Sequence, residues 1–189
     1  EVTDLAGGSP LRLEGHTSSI FTLAFAPGGR ELASAAGDGV RVWDLTTGRL
    51  RYALAPPAAG CAVYSPDGAR LATCGKDGKV RLFDGERLER TIDASRQSLA
   101  SIAFSPDGRR LICGGLDRTG RIFSLQGELL SALQGHRAQI VAVATDGELA
   151  ATGGFDGTVR IWDVTTGKQL EVLEHGGRVS SVELRAGRL

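Results

Sequence analysis

The chain has no methionine, only two tryptophans and two tyrosines, and three cysteines among 189 residues. Cys61, Cys74 and Cys113 form no CxxC pair and leave an odd count. Their spacing reads as buried free thiols in a reducing compartment. Charge of one sign is missing as well: 22 basic residues balance 22 acidic ones. No basic patch stands out to drive binding to nucleic acid or an anionic membrane. No apolar run approaches the roughly 18 residues of a membrane span. The opening EVTDLAGGSP has neither the basic nor the apolar region of a signal peptide. With methionine absent, the expectation is a chain cut from something longer, or processed. Lysine is nearly absent, three against nineteen arginines. With abundant Ala, Gly and Leu this looks like a GC-rich bacterial coding bias.

Glycine, by contrast, is plentiful, with 27 residues, and it sits in turns. SPDG occurs at 65–68 and 105–108, APGG at 26–29 and TDG at 145–147. SPDG suits a type I turn, with Pro setting φ at its second position and Gly at its fourth. Frequent turns between short apolar runs predict many short strands. The segments RVWDLTTG and RIWDVTTG are nearly the same, with Trp43 and Trp162 119 residues apart. Phe83 and Phe123 divide that interval at steps of 40, 40 and 39. Each aromatic closes an R-x-aromatic strand, and Asp38, Asp77, Asp117 and Asp156 precede them by five or six residues. A period near 40 means stacked or radial units.

Each unit reads as four strands, in the first at 18–26, 30–36, 40–44 and 49–54. Asp38-Gly39, Asp77-Gly78 and Asp156-Gly157 are hairpin signals between the second and third strands, and Asp117-Arg118 breaks the series. The apolar first strands are expected to be covered on both faces, and the more charged fourth strands to form outer edges.

With Gly15-His16 and Trp43-Asp44, Gly135-His136 and Trp162-Asp163, the chain resembles the WD-repeat (WD40-type) β-propeller family over nearly its whole length. The resemblance implies an all-β propeller of four four-stranded blades with pieces of an incomplete fifth. Units fall at approximately 10–48, 49–88, 89–127, 128–167 and, in part, 168–189. Residues 10–14 are expected to be an outer strand of a preceding blade, and 178–184 the inner strand of a fifth. A four-bladed ring is within the known range, but these pieces favour a segment of a larger ring, typically about seven blades. A raw end of such an array predicts an apolar flank and self-association through exposed blade edges.

The resemblance also implies two hydrogen-bonded tetrads, His16, Ser34, Asp38 and Trp43, and His136, Thr152, Asp156 and Trp162. The chemistry is consistent: indole donates only, hydroxyl and imidazole do both, and carboxylate accepts. A Ser/Thr-His-Asp set also suggests a hydrolase. Its recurrence at one period and the lack of a G-x-S-x-G elbow speak against catalysis. The second unit has Thr73, Asp77 and Phe83 but no His, and the third has Cys113, Asp117, Phe123 and Ser124. Those blades are expected to rely more on packing. His175 opens the fifth unit. No metal-ligand spacing and no phosphate loop occurs, so no cofactor and no metal is expected.

In the family, the face bearing the turn between second and third strands, with the entry to the first, commonly binds peptides. By position this face comprises Ser19, Phe21 and Gly37, then Ala58, Gly60 and Lys76, then Ser98, Ala100 and Leu116. Gln139, Val141, Phe155, Arg178 and Ser180 complete it. Phe21, Leu116, Val141 and Phe155 are candidate anchors, and Phe21 and Phe155 read equally well as padding between blades. The leading functional expectation is a non-catalytic scaffold for a protein or peptide partner, in signalling or docking, without nucleic acid or membrane. The alternative is an accessory propeller of a larger bacterial enzyme, a kinase or peptidase. The expected setting is the cytoplasm, with the periplasm left open because SPDG turns also occur in periplasmic propellers.

Overall fold

A computed structural model describes residues 11–55 and 59–184. Pro10 and Ala58 lie outside them. The described residues form sixteen strands in four antiparallel sheets, each in simple meander order, and no helix. Blade one holds β1 (Ile20–Phe25), β2 (Glu31–Ala36), β3 (Gly39–Asp44) and β4 (Arg49–Leu54). Blade two holds β5 (Ala59–Tyr64), β6 (Leu71–Gly75), β7 (Lys79–Asp84) and β8 (Arg87–Asp93). Blade three holds β9 (Leu99–Phe104), β10 (Arg110–Gly115), β11 (Thr119–Ser124) and β12 (Leu129–Gln134). Blade four holds β13 (Ile140–Thr145), β14 (Leu149–Gly154), β15 (Thr158–Asp163) and β16 (Gln169–Glu174). They match the four four-stranded blades that the sequence resemblance implies.

The turn chemistry explains the echoes in the sequence. Asp44 Oδ1 accepts from the Thr46 amide and hydroxyl and the Thr47 amide, and Gly48 N bonds Asp44 O at 2.8 Å. Asp163 repeats this with Thr166 and Gly167. The Asp after each tryptophan therefore shapes the turn into the outer strand. In both SPDG turns the Ser hydroxyl donates to the Asp two residues on and accepts from an Arg amide five residues on.

Neighbouring blades pack through their inner strands, β1 on β5, β5 on β9 and β9 on β13. Three apolar cores fill the three blade junctions: Ala33, Val40, Val42 and Leu54 meet Ala62 and Tyr64, Val80, Leu82 and Ile92 meet Leu99, Ile102 and Phe104, and Ile112, Ile122 and Leu133 meet Ile140 and Val143. Thr22 Oγ1 accepts from Ala62 N, and Ser101 Oγ from Val143 N, so hydroxyls also bridge adjacent inner strands. Ala100, Ile102 and Val141 line a groove of about 520 Å³ shared by all four inner strands.

Three expectations are corrected at the ends. The inner strand of blade one is not covered on both faces. Ile20, Leu23 and Phe25 are 51%, 58% and 58% exposed, whereas Ala59, Ala62 and Tyr64 of blade two are 1%, 7% and 9%. Among the described residues no neighbouring blade lies against that face. Residues 178–184 form no strand. They nevertheless lie on blade four as an inner strand would: Val179 and Val182 pack over Gly153 as Ile140 and Val143 pack over Gly114. Among the described residues no second strand lies beside them for their backbone to pair with. Leu11 makes only an isolated bridge, so 11–14 is no outer strand either.

The cysteine expectation is also corrected. Register sets Cys61 opposite Cys74 across β5 and β6, and the two form a disulfide with Cα atoms 5.2 Å apart. Only Cys113 is free, and burial pushes its thiol up to about 12. Strand register, which sets thiols face to face, is not visible in cysteine spacing.

Candidate functional site

One end of the four sheets gathers the turns joining second to third strands and the loops entering the first strands. Backbone bonds hold each pair together. Leu116 N donates to Ser98 O and Phe155 N to Gln139 O, at 2.9 and 3.0 Å. Gly78 O accepts from the Ala94 and Ser95 amides, tying the β6–β7 turn to the loop entering β9.

A carboxylate anchors this end in every blade. In blade four Trp162 Nε1 donates to Thr152 Oγ1 at 2.8 Å, and His136 Nε2 lies 2.8 Å from the same hydroxyl. His136 Nδ1 sits 3.0 Å from Asp156 Oδ2. The consistent assignment has Nδ1–H donating to the carboxylate and Nε2 accepting from the hydroxyl. Burial pushes the Asp156 carboxyl up, but the Arg137 amide, the Thr158 hydroxyl and His136 together hold it well below the ordinary range. Blade one repeats the chain, with Trp43 to Ser34 at 2.8 Å, Ser34 to His16 at 2.7 Å and His16 to Asp38 at 2.7 Å. Asp38 also accepts from the Thr17 amide, Ser18 Oγ and Arg41 Nη1, and its carboxyl is strongly lowered, first by the Thr17 amide.

The middle blades do not depend on packing alone. Arg81 Nη2 bonds Asp77 Oδ2 at 2.6 Å, and Arg121 Nη1 bonds Asp117 Oδ2 at 2.7 Å, with Ser95 Oγ on the same oxygen. A guanidinium supplies the donors that imidazole supplies elsewhere. The R-x-aromatic signature carried that signal. In blade four the arginine of that signature, Arg160, turns instead to Gln169 Oε1 at 2.5 Å.

On this frame Ser19, Phe21, Lys76, Leu116 and Arg178 are exposed, while Gln139, Val141 and Phe155 are half-buried. The Arg178 guanidinium stacks 4.9 Å above the Phe155 ring, in a depression of about 360 Å³ with Gly157 and Gly176. Phe21 and Val141 occupy the same place in their strands, the extra residue of a bulge, as do Gly60 and Ala100. Ser19 and Phe21 stand at the open flank of blade one, with Phe155 and Arg178 on blade four. The expected residues thus share an end of the molecule and not a single pocket.

Of the cations at this end, Lys76 and Arg178 were expected from the sequence, and Arg96, Arg118 and Arg137 were not. Lys76, Arg96, Arg118, Arg137 and Arg178 are all exposed at this end. Among the described residues no carboxylate pairs with any of them. Spread along the chain, they converge only once it folds. Arg118 also takes φ 65°, the left-handed turn conformation that Gly78 and Gly157 adopt at 73° and 80°.

Four repeated blades, each with its turns locked to an aromatic-capped strand, define a WD-repeat propeller structure. The family model described as WD domain, G-beta repeat matches residues 8–44, 58–84, 86–124 and 127–163, and the chain belongs to this family. It is similar to the small ribosomal subunit protein RACK1y of Oryza sativa subsp. japonica, 30% identical over 93% of the chain and 57% of the relative. The serine-threonine kinase receptor-associated protein of Gallus gallus is 32% identical over 82% of the chain and 46% of the relative. Mitochondrial division protein 1 of Neurospora crassa is 27% identical over 86% and 24%. The chain spans between about a quarter and somewhat over half the length of these relatives. All three are eukaryotic and lend no support to a bacterial origin.

Proposed function

We propose that the chain is a non-catalytic scaffold that binds a protein or peptide partner on the end of the blades carrying Leu116, Phe155 and Arg178. The observation that supports it most is the rim itself. Each turn there is fixed by a carboxylate network, so exposed apolar and basic side chains are presented on a preorganised frame, which lowers the ordering cost of binding. The two Ser/Thr-His-Asp sets, in blades one and four, serve those turns, with each hydroxyl also accepting an indole N–H. Relatives named for a ribosomal subunit and for association with a kinase receptor agree with an assembly role.

Selection of displayed random peptides on the immobilised chain tests this reading. Recovered peptides are expected to lose about tenfold in affinity on Leu116→Ser, or about 1.4 kcal/mol. They should be unaffected by Leu50→Ser on the outer strand of blade one, where Leu50 is 47% exposed. Peptides that bind wild type and Leu116→Ser alike would place the site elsewhere.

A further inference from the structure

We infer that the partner segment received at this end is acidic, a peptide of Asp or Glu side chains around an apolar anchor. This rests on the proposed binding face and goes on to name the chemistry of its ligand. The chain is neutral overall, with 22 residues of each sign, but its free charge is unevenly placed. Asp38, Asp77, Asp117 and Asp156 at this end are each engaged by Arg or His. Asp93 pairs with Lys79 at 2.7 Å. Lys76, Arg96, Arg118, Arg137 and Arg178 face these spent carboxylates with no ion-pair partner of their own among the described residues. Glu174, on the outer strand of blade four, is the one nearby carboxylate without a described ion-pair partner. At the opposite end Glu86, Asp107, Glu128 and Glu148 stand exposed among Arg30, Arg87 and Arg109, so no single sign prevails.

The cations are grouped by the fold. The β6–β7 turn with Lys76 touches the loop bearing Arg96 through Gly78 and Ser95. That loop in turn bonds the β10–β11 turn of Arg118, through Leu116 with Ser98 and through Asp117 with Ser95. Arg137 and Arg178 flank the Phe155 turn of blade four. Leu116 and Phe155 lie between, supplying apolar contact inside a rim of like charge, an arrangement that selects and steers an anionic segment.

Arg118 adds an independent observation. The left-handed conformation strains a residue with a Cβ, and glycine fills the equivalent place in the other three blades. An arginine kept there against backbone preference points to a use for its side chain.

The test uses fluorescein-labelled peptides with one central Leu flanked by Glu, and the same peptides with Gln for Glu, titrated by polarisation at low and moderate salt. The Glu peptide is expected to bind at least about tenfold tighter than the Gln peptide, with the advantage shrinking as salt rises. Arg118→Gly is expected to weaken the Glu peptide several-fold while raising the unfolding midpoint, a pairing that a structural role alone would not give. Arg96→Ser should weaken the same peptide with the midpoint unchanged. Equal affinity for the Glu and Gln peptides, or an Arg118→Gly protein that binds as well as wild type, would overturn the inference. Binding of an oligouridylate probe with no binding of the Glu peptide would overturn it in favour of a nucleic acid. If neutral peptides bind and Leu116→Ser abolishes it, the acidic preference fails and the binding face stands. If no selected or designed peptide responds to Leu116→Ser, the face fails too.

Discussion

His136 has no side-chain exposure, and the Asp156 side chain beside it has 6%. Its ring is the only side-chain link between Asp156 and the buried Thr152 hydroxyl. His136→Ala empties a fully buried site and strips the Thr152 hydroxyl of its acceptor, at about 1–3 kcal/mol for the unpaired group, while Asp156 keeps the Arg137 amide and Thr158 as donors. The expected loss is about 2–4 kcal/mol of unfolding free energy, read from the denaturant midpoint. His16→Ala should cost less, about 1–2 kcal/mol, because the Asp38 side chain is 19% exposed, so water can replace the lost partner. Equal losses would mean that the two networks carry the same weight despite their surroundings. These tetrads were expected from the resemblance to the WD-repeat family, in which His, hydroxyl, Asp and Trp stand at these places in a blade. The Asp77–Arg81 and Asp117–Arg121 pairs were not read. An arginine before an aromatic is ordinary strand composition until register shows which carboxylate it meets.

At the scale of strands and turns, the hairpins joining second to third strands control how blades seat. A Cβ on Gly78 would collide with the Ser95 carbonyl oxygen in the loop entering blade three, and its φ of 73° already favours glycine. Gly78→Ala is therefore expected to destabilise by about 2–4 kcal/mol, measured by chemical unfolding. Gly85, at φ 54° with open space around it, should tolerate alanine better. The Asp-Gly pairs announced three of these turns. Asp117-Arg118 read as a break, yet Arg118 adopts the glycine conformation and the turn survives. The inner-strand bulges that offset Phe21 and Val141 had no sequence signal, since a bulge is defined by its partner strand.

For the molecule as a whole, period and turn residues made the four blades and their meander legible, but not what lies at either end. Burial depends on a neighbour, and only the fold shows that Ile20, Leu23 and Phe25 have no blade over them among the described residues. Each such side chain forgoes about 1.5–3 kcal/mol of burial. The chain is expected to self-associate through this face, with weight-average mass in sedimentation rising with concentration and falling back on Leu23→Glu. A mass that stays monomeric at all concentrations would show the face to be tolerated in water. Arg178 carries a different consequence. It rides on a segment held to blade four by Val179, Val182 and few backbone bonds, outside any ladder. A ligand that grips Arg178 must also fasten that segment. Part of its binding energy then becomes local stability, and amide hydrogen exchange in residues 178–184 would slow on binding far more than that of the strands of blades two and three.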